Sequence, residues 1–351
     1  MSKFLYNRVS RRELKERLQH NPEPRITLSF YKYVRLKNPA FFRNHLYDLL
    51  DSVGVMGRIY VAGEGVNAQI SVPENRYEEF RSAMNSIDFF QGMRLNVAVE
   101  AEGKSFFALI IKVREKIVAD GIDDPDFDSS QTGRHLRAAE WNALMNDPNT
   151  VVVDMRNHYE SEVGHFENAI LPPVATFREE LPFVAEQLDD RKDCNVLMYC
   201  TGGIRCEKAS AYMRYRGFKN VFQLEGGIIE YARQIRAEGL ENRFIGKNFV
   251  FDERLGERIS PDVIAHCHQC GAVCDDHTNC ANESCHILFI QCPECAEKYK
   301  GCCSEKCSSF MALPADQRAL LAPTTEFNGT KFGKGRYKVH RQTEALDVGM
   351  Y

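Results

Sequence analysis

The feature that most restricts the fold of this chain is the segment Cys200-Thr201-Gly202-Gly203-Ile204-Arg205, which lies between a short apolar run and a helical pattern. The run at 195–199 has the length of a buried strand, and residues 207–215 have helical character. A strand–loop–helix unit of this kind aims successive backbone N–H groups and the positive end of a helix at one spot. A cysteine there is expected to have a lowered pKa and to be a nucleophilic thiolate.

The alternative is a buried structural cysteine, since free thiols are among the most buried side chains. Two adjacent glycines, which let a ligand approach the backbone, and the cation of Arg205 favour the catalytic interpretation. That interpretation needs a sulfur at Cys200 that is ionised near neutral pH and is not sealed beneath other side chains. Cys206, next to the loop, is either a resolving thiol for Cys200 or simply a small residue in the first helical turn.

The segments around this loop resemble those of rhodanese domains. The loop is similar to the rhodanese active loop, whose cysteine carries a persulfide, and residues 151–156 resemble the strand that ends in Asp-x-Arg. Glu160, the run 164–169 and the run 224–227 resemble three further rhodanese motifs, with Phe and Asn replacing Ile and Gly in the second. Phosphatases related to rhodanese have one more residue between Cys and Arg, so the spacing here favours sulfur over phosphate. The Asp154 and Arg156 side chains are expected to brace the loop rather than to react.

The fold class indicated is a multidomain mixture of α/β and α+β. Alternation of apolar and polar residues over 66–72, two apolar helical stripes, and a closing strand at 109–113 suggest a βαββαβ order. The predicted organisation is an N-terminal segment (1–25), a ferredoxin-like or acylphosphatase-like domain (26–120), an acidic linker (121–135), a rhodanese-like domain with a parallel sheet (136–237), a connector (238–265), a Cys-rich block (266–310) and a basic tail (311–351).

The Cys-rich block contains ten of the thirteen cysteines within residues 267–307. Two Cys-x-x-Cys pairs have the spacing of a Cys₄ zinc site, namely Cys267, Cys270, Cys292 and Cys295. A second set with looser spacing, which would interleave with the first, is Cys280, Cys285, Cys303 and Cys307. Cys274 and Cys302 are left over, and nearby histidines are substitute ligands. Structural zinc is the predicted cofactor, with a reduced cluster, disulfides or an iron–sulfur cluster as alternatives.

Composition narrows the functional class. A net charge of −4 gives no overall attraction to nucleic acid, so a nucleic-acid-binding surface has to be local. One candidate surface consists of Lys112, Arg114 and Lys116, which alternate along one strand. The other is the basic tail at 331–341. For each, the alternative is a charged segment that is only exposed to solvent and binds nothing. No apolar run approaches ~18 residues and the start lacks a secretory signal, so a cytoplasmic protein without a membrane segment is expected. Flavin and nicotinamide motifs are not seen.

The combination of these blocks resembles the bacterial rhodanese-type tRNA uridine hydroxylases over residues 5–310. The resemblance implies an oxidoreductase that makes 5-hydroxyuridine at the wobble position, with the tRNA anticodon loop as partner and molecular oxygen as co-substrate. It places Cys200 at the catalytic position. Two other functions stay open: a sulfurtransferase that passes persulfide sulfur from Cys200 to an acceptor, and a non-enzymatic adaptor. Oligomeric state, the identity of the tRNAs and the way oxygen is activated do not follow from the sequence.

Overall fold

The computed structural model describes residues 13, 14, 16, 23–100 and 105–329. It divides into two compact units. The first consists of residues up to 161, 165–244 and 248–259, and the second of residues 162–164, 245–247 and 260 onward. Most of the predicted N-terminal segment and the basic stretch 331–341 lie outside the described residues.

The N-terminal part of the first unit is a five-stranded sheet with two helices on one face. Its elements are β1 (Arg25–Tyr33), α1 (Pro39–Ser52), β2 (Met56–Ala62), β3 (Gly65–Pro73), α2 (Tyr77–Asn85), β4 (Asn96–Val97) and β5 (Leu109–Val113). The strand order is β4-β1-β3-β2-β5. The prediction that 109–113 closes the βαββαβ motif is therefore wrong: β4 lies beside β1, where that closing strand belongs, and β5 is an additional edge strand parallel to β2.

The alternating residues of β3 have opposite environments. Val66, Ala68, Ile70 and Val72 are fully buried in a core shared with Leu46 and Leu50 of α1 and Phe80 of α2. Helix α1 begins at Pro39, after Asn38, whose side-chain oxygen accepts a hydrogen bond from the N–H of Phe41. The helices therefore cover one face of the sheet, and the polar side chains of the strands lie on the other face.

The rhodanese-like part has the predicted parallel sheet, with strand order β6-β10-β9-β7. Its elements are β6 (Arg134–Leu136), α3 (Ala138–Met145), β7 (Thr150–Asp154), α4 (His158–Ser161), β8 (Gly164–Phe166), α5 (Phe177–Gln187), β9 (Asn195–Tyr199), α6 (Ile204–Tyr215), β10 (Asn220–Leu224) and α7 (Gly227–Glu238). Cys200 directly follows β9, one of the two inner strands. Helix α6 begins at Ile204, three residues before the predicted start, so Arg205 lies in its first turn.

The predicted connector is not an irregular segment. It contains β11 (Phe244–Asn248) and β12 (Glu257–Arg258), which form a three-stranded sheet with β8. In the second unit, the hairpin β13 (His277–Asn279) and β14 (Leu288–Ile290) precedes three short helices, α8 (Pro293–Lys298), α9 (Glu305–Met311) and α10 (Ala315–Leu321). The last helix lies inside the predicted basic tail. Within the described part of the chain, every helix is too short or too polar to cross a bilayer.

Candidate active site and cysteine clusters

The Cys200 sulfur lies in a cradle of backbone amides, as expected for the loop between β9 and α6. The N–H of Gly203 donates to Sγ over 3.2 Å, and the backbone N–H groups of Arg205 and Cys206 lower the pKa of the thiol. Gly203 has a φ of +95°, a conformation that residues with a Cβ rarely adopt. The loop chemistry thus depends on a glycine at this position.

The Gly226-Gly227 turn holds this loop in place. At the start of α7, the N–H groups of Ile228 and Ile229 donate to the carbonyl oxygens of Cys200 and Thr201 at 3.0 and 3.2 Å. A Cβ on Gly227 would lie 2.5 Å from the Cys200 oxygen, so only glycine permits this approach. These two hydrogen bonds fix the carbonyl groups of Cys200 and Thr201, and the N–H groups of the loop therefore point at the sulfur.

The environment of Cys200 favours the thiolate. Burial alone would raise its pKa, but the hydrogen bond from Cys206, the charge of Arg205 and the backbone N–H groups outweigh burial and lower the pKa to about 6. Burial raises the pKa of Cys206 well above its ordinary value, and the hydrogen bond to Cys200 and the charge of the Cys200 thiolate raise it further, against the opposing charge of Arg205. Cys206 is therefore the proton donor of the pair. Cys200 is therefore mostly ionised at neutral pH, as the sequence predicted.

Arg205 is committed to a buried ion pair. Its two terminal nitrogens donate to the two oxygens of Glu160, each over 2.7 Å, and its guanidinium lies 5.8 Å from the ring centroid of Phe251. A bidentate pair of this kind fixes the guanidinium plane. Arg205 therefore acts on Cys200 through its charge.

The expectation of an open sulfur is not met, since Cys200 is only 1% exposed. Segments distant in sequence enclose the loop: Asn96 donates to the Gly202 oxygen over 3.2 Å, Tyr33 donates to the Ile204 oxygen over 3.2 Å, and Thr201 donates to the Phe249 oxygen over 3.4 Å. The loop is thus bounded by the N-terminal sheet on one side and by the segment after β11 on another. A substrate can reach the sulfur only by displacing part of this cover.

Asp154 and Arg156 form a buried pair next to the loop-bearing strand. Arg156 donates to both oxygens of Asp154, at 2.9 and 2.7 Å, and both side chains have no exposed surface. The hydroxyl of Tyr199, the residue before Cys200, donates to Asp154 over 2.7 Å. The pair therefore joins the carboxyl ends of β7 and β9, and bracing of the loop itself stays a prediction.

Sequence reasoning missed Glu180, a buried carboxyl on α5. Its side chain is fully buried, and neither carboxylate oxygen has a hydrogen-bond partner among the described residues. Burial raises its pKa well above the ordinary value; Arg205 opposes this rise, while the charges of Asp154, Glu160 and Cys200 add to it. Glu180 is therefore a neutral carboxylic acid beside the thiolate site, an arrangement typical of functional sites.

Replacing Glu180 with glutamine is expected to change stability in a pH-dependent way. Because folding raises the pKa of Glu180, the free energy of unfolding falls as pH rises above the ordinary glutamate pKa, by up to about 1.4 kcal/mol per pH unit. Glutamine does not ionise, so the free energy of unfolding of Glu180→Gln relative to wild type, measured by urea unfolding, should increase from pH 5 to pH 7. Glu186→Gln, an exposed position on the same helix, is the matched control. A pH-independent difference at position 180 would contradict the neutral assignment.

The two predicted sets of cysteines come together as two clusters in the second unit. Cys267, Cys270, Cys292 and Cys295 form one, Cys280, Cys285, Cys303 and Cys307 form the other, and within each the sulfurs lie within 4.8 Å of one another. Individual S···S distances are 3.6 Å for Cys270–Cys292, 3.7 Å for Cys285–Cys303 and 3.8 Å for Cys303–Cys307.

These distances fit a metal better than a disulfide. Four ligands at a Zn–S distance of ~2.3 Å in a tetrahedron have S···S separations of ~3.8 Å, whereas a disulfide is ~2.05 Å. Cys274 and Cys302 lie outside both clusters, as do the histidines. His268 uses its ring nitrogens elsewhere, contacting Glu162 at 2.8 Å and accepting from the N–H of Ile290 at 3.2 Å.

The predicted basic stripe on β5 is only partly present. Lys112 and Arg114 are exposed, but Lys116 donates to Asp120 over 2.7 Å and to the Ile122 oxygen. Val113 is 45% exposed at the end of this edge strand. Lys116 is therefore a structural residue that contacts the start of the linker.

Comparison with known proteins finds family models that match three regions of the chain and relatives that match nearly its whole length. Residues 25–117 match a UPF0176 acylphosphatase-like domain, 137–234 a rhodanese-like domain, and 245–308 a rhodanese C-terminal region. A protein of Photorhabdus laumondii named tRNA uridine(34) hydroxylase is 59% identical over 95% of this chain and 96% of its own length. Proteins with the same name from Pectobacterium carotovorum (59%, over 95% and 94%) and Salmonella arizonae (56%, over 96% and 96%) are similar.

Proposed function

Because the chain belongs to the tRNA uridine(34) hydroxylase family, we propose that it hydroxylates C5 of the wobble uridine of tRNA, with Cys200 as the catalytic residue. The observation that carries this proposal is the Cys200 thiolate, which the loop N–H groups and the charge of Arg205 stabilise. The proposed reaction takes place in the cytoplasm, where tRNA is available.

The chemistry follows from the electronic structure of uracil. C5 of uridine becomes strongly nucleophilic when a thiolate adds to C6, because the ring electrons then form an enolate. In our proposal the Cys200 sulfur forms the bond to C6, and an oxygen species is attacked by C5. Loss of the C5 proton with cleavage of the S–C6 bond restores the ring and releases the thiolate.

Molecular oxygen is the proposed co-substrate, which makes the enzyme an oxidoreductase. Transfer of one oxygen atom to C5 leaves the second atom to be reduced to water, and this requires two electrons and two protons from an external reductant. An alternative route has Cys200 oxidised by the same oxygen to a sulfenate, which then carries the oxygen atom to the uridine. Both routes require Cys200.

Each cysteine cluster is proposed to hold one structural zinc ion. The four sulfurs of each set supply the tetrahedral thiolate ligands that zinc prefers, and they leave no open coordination position for catalysis. The contribution of the metal would be folding free energy for the second unit.

The second candidate function is sulfur transfer. The amide cradle around Cys200 is equally suited to stabilise a persulfide, whose terminal sulfur is anionic. This function predicts rapid thiocyanate formation from thiosulfate and cyanide, a reaction that a hydroxylase does not need.

The deciding experiment is nucleoside analysis of tRNA in a bacterial strain that lacks its own wobble uridine hydroxylases. Expression of this chain should produce 5-hydroxyuridine or nucleosides derived from it, and growth without oxygen should abolish that product. Absence of the nucleoside from cells that contain folded protein, combined with thiocyanate formation by the purified enzyme, would favour the sulfurtransferase.

A further inference from the structure

The face of the N-terminal sheet that its helices leave uncovered has two rows of side chains in register. Directly paired residues of neighbouring strands project from the same face. The strand registers give a first row of Ser29, Gln69, Arg58 and Ile110 and a second row of Tyr31, Asn67, Tyr60 and Lys112. With ~4.8 Å between strands, each row extends ~14 Å from β1 to β5.

The β1 ends of both rows adjoin the Cys200 loop. A Cβ placed on Gly202 would lie 3.7 Å from the Ser29 hydroxyl, and one on Gly203 would lie 3.1 Å from the Tyr31 hydroxyl. Tyr31 also donates to Glu207, in the first turns of α6, over 2.8 Å. The rows therefore lead directly away from the catalytic loop.

The β2 and β5 ends of the rows are open to solvent and basic. We call this region the open sheet face and define it by Arg58, Tyr60, Ile110, Lys112 and Arg114. All except the half-buried Tyr60 are exposed, and the Arg114 guanidinium lies 5.6 Å from the Tyr60 ring centroid. Within the described part of the chain, none of its three cations has a carboxylate partner.

This lack of partners distinguishes the open sheet face from the helical side of the same domain. On α2, the exposed Arg81 pairs with Glu78 at 3.2 Å, and just before that helix Arg76 pairs with Glu79 at 2.6 Å. Unpaired cations beside an aromatic ring and an exposed aliphatic side chain match the chemistry of single-stranded RNA, in which phosphates need positive charge and unstacked bases need an apolar or π surface.

We propose that the open sheet face binds the unpaired nucleotides next to the uridine that enters the Cys200 site. This inference rests on the proposed tRNA hydroxylase function and adds the location of its RNA contacts. Arg58, Lys112 and Arg114 contact phosphates, and a base stacks on Tyr60. The rows connect this surface with the loop, so one strand of RNA in an anticodon loop spans both.

Binding of fluorescent substrate tRNA by the full chain tests the proposal. Arg58→Ala and Lys112→Ala should each weaken binding several-fold and reduce the slope of log affinity against log salt by about 0.7, the loss of one single-strand phosphate contact. Tyr60→Ala should weaken binding about 5- to 150-fold, the range for one stacked base, whereas Tyr60→Phe should bind normally. Arg81→Ala, an exposed arginine on the helical side, is the matched control and should leave affinity unchanged.

Ultraviolet crosslinking of the wild-type complex provides a second measurement, with the crosslinked peptide expected to contain Tyr60. Normal affinity and salt slope for both Arg58→Ala and Lys112→Ala would overturn the proposal, whatever the hydroxylation activity. Failure of the proposed function gives a different result: wild-type protein that binds tRNA through this face and crosslinks at Tyr60, but forms no 5-hydroxyuridine.

Discussion

A Cys200→Ser variant is expected to make no detectable 5-hydroxyuridine, in cells or with purified tRNA. A serine hydroxyl stays protonated at neutral pH and neither adds to C6 nor forms an oxidised sulfur species. Removing the nucleophile of a covalent enzyme costs on the order of 10⁶-fold in turnover, far below the detection limit of nucleoside mass spectrometry. The measurement is the amount of 5-hydroxyuridine in tRNA from the complemented strain.

The matched control is Cys194→Ser, because Cys194 is a free and partly exposed cysteine just before β9. It should retain full activity. Because serine is close to cysteine in size, Cys200→Ser should also keep the wild-type circular dichroism spectrum and affinity for tRNA. Modification by a folded Cys200→Ser protein would remove Cys200 from the chemistry and leave the proposed mechanism without a nucleophile.

The pKa of Cys200 sets the pH dependence of the wild-type reaction. A pKa of about 6 means that the sulfur is a thiolate above this pH and is protonated below it. The ratio kcat/KM should therefore fall as pH decreases, with a midpoint near 6, because this ratio reports groups of the free enzyme. A midpoint above the ~8.5 of an ordinary cysteine would contradict the role assigned to the amide cradle.

Hydrogen exchange at C5 distinguishes the two routes for Cys200. If the thiolate adds to C6, the enolate can be protonated by solvent and the adduct can revert, so wild-type enzyme should exchange the C5 hydrogen of the target uridine in deuterated water without oxygen. The Cys200→Ser variant should show no exchange. A sulfur that only carries oxygen predicts no exchange in either protein and an added oxygen atom on Cys200.

The parts of this site that the sequence predicts are those set by local geometry. The strand, the glycine loop and the helix that form the Cys200 cradle all lie within residues 195–215, and the Gly226-Gly227 turn that holds the loop was also recognised as a motif. The two cysteine clusters follow from pair spacing, because a tetrahedral site needs two such pairs. The strand at Asn96–Val97 was missed because two residues have no periodicity to detect.

The missed site residues depend on packing between distant segments. The burial of Cys200 results partly from contacts such as Tyr31 with Glu207, which are 176 positions apart. In sequence, Glu179 and Glu180 form an acidic pair typical of a solvated helix surface, and only the position of α5 in the fold turns Glu180 inward. Phe249 and Phe251 have the appearance of core residues until Thr201 and Arg205 are found beside them.

Loss of metal from the cysteine clusters is expected to have a large effect on the stability of the second unit. Purified protein should contain about two zinc ions per chain, and Cys292→Ser and Cys303→Ser should each lose the ion of their own cluster. Structural zinc contributes ~10–16 kcal/mol of apparent binding free energy in small zinc domains, as much as the whole stability of a typical domain. Each variant should therefore become sensitive to limited proteolysis within residues 266–310, and strong chelators should have the same effect on wild type.

Cys274→Ser is the matched control, since Cys274 lies in the same unit but outside both clusters. It should keep two zinc ions and wild-type protease resistance. Zinc-free protein that resists proteolysis as well as the metal-bound form would show that packing alone holds the second unit together. That outcome conflicts with its small apolar core, in which Ile287 and Phe289 are surrounded mainly by the cysteines of the second cluster. Such a core supplies only a few kcal/mol, so the sulfurs need a shared ion to stabilise the fold.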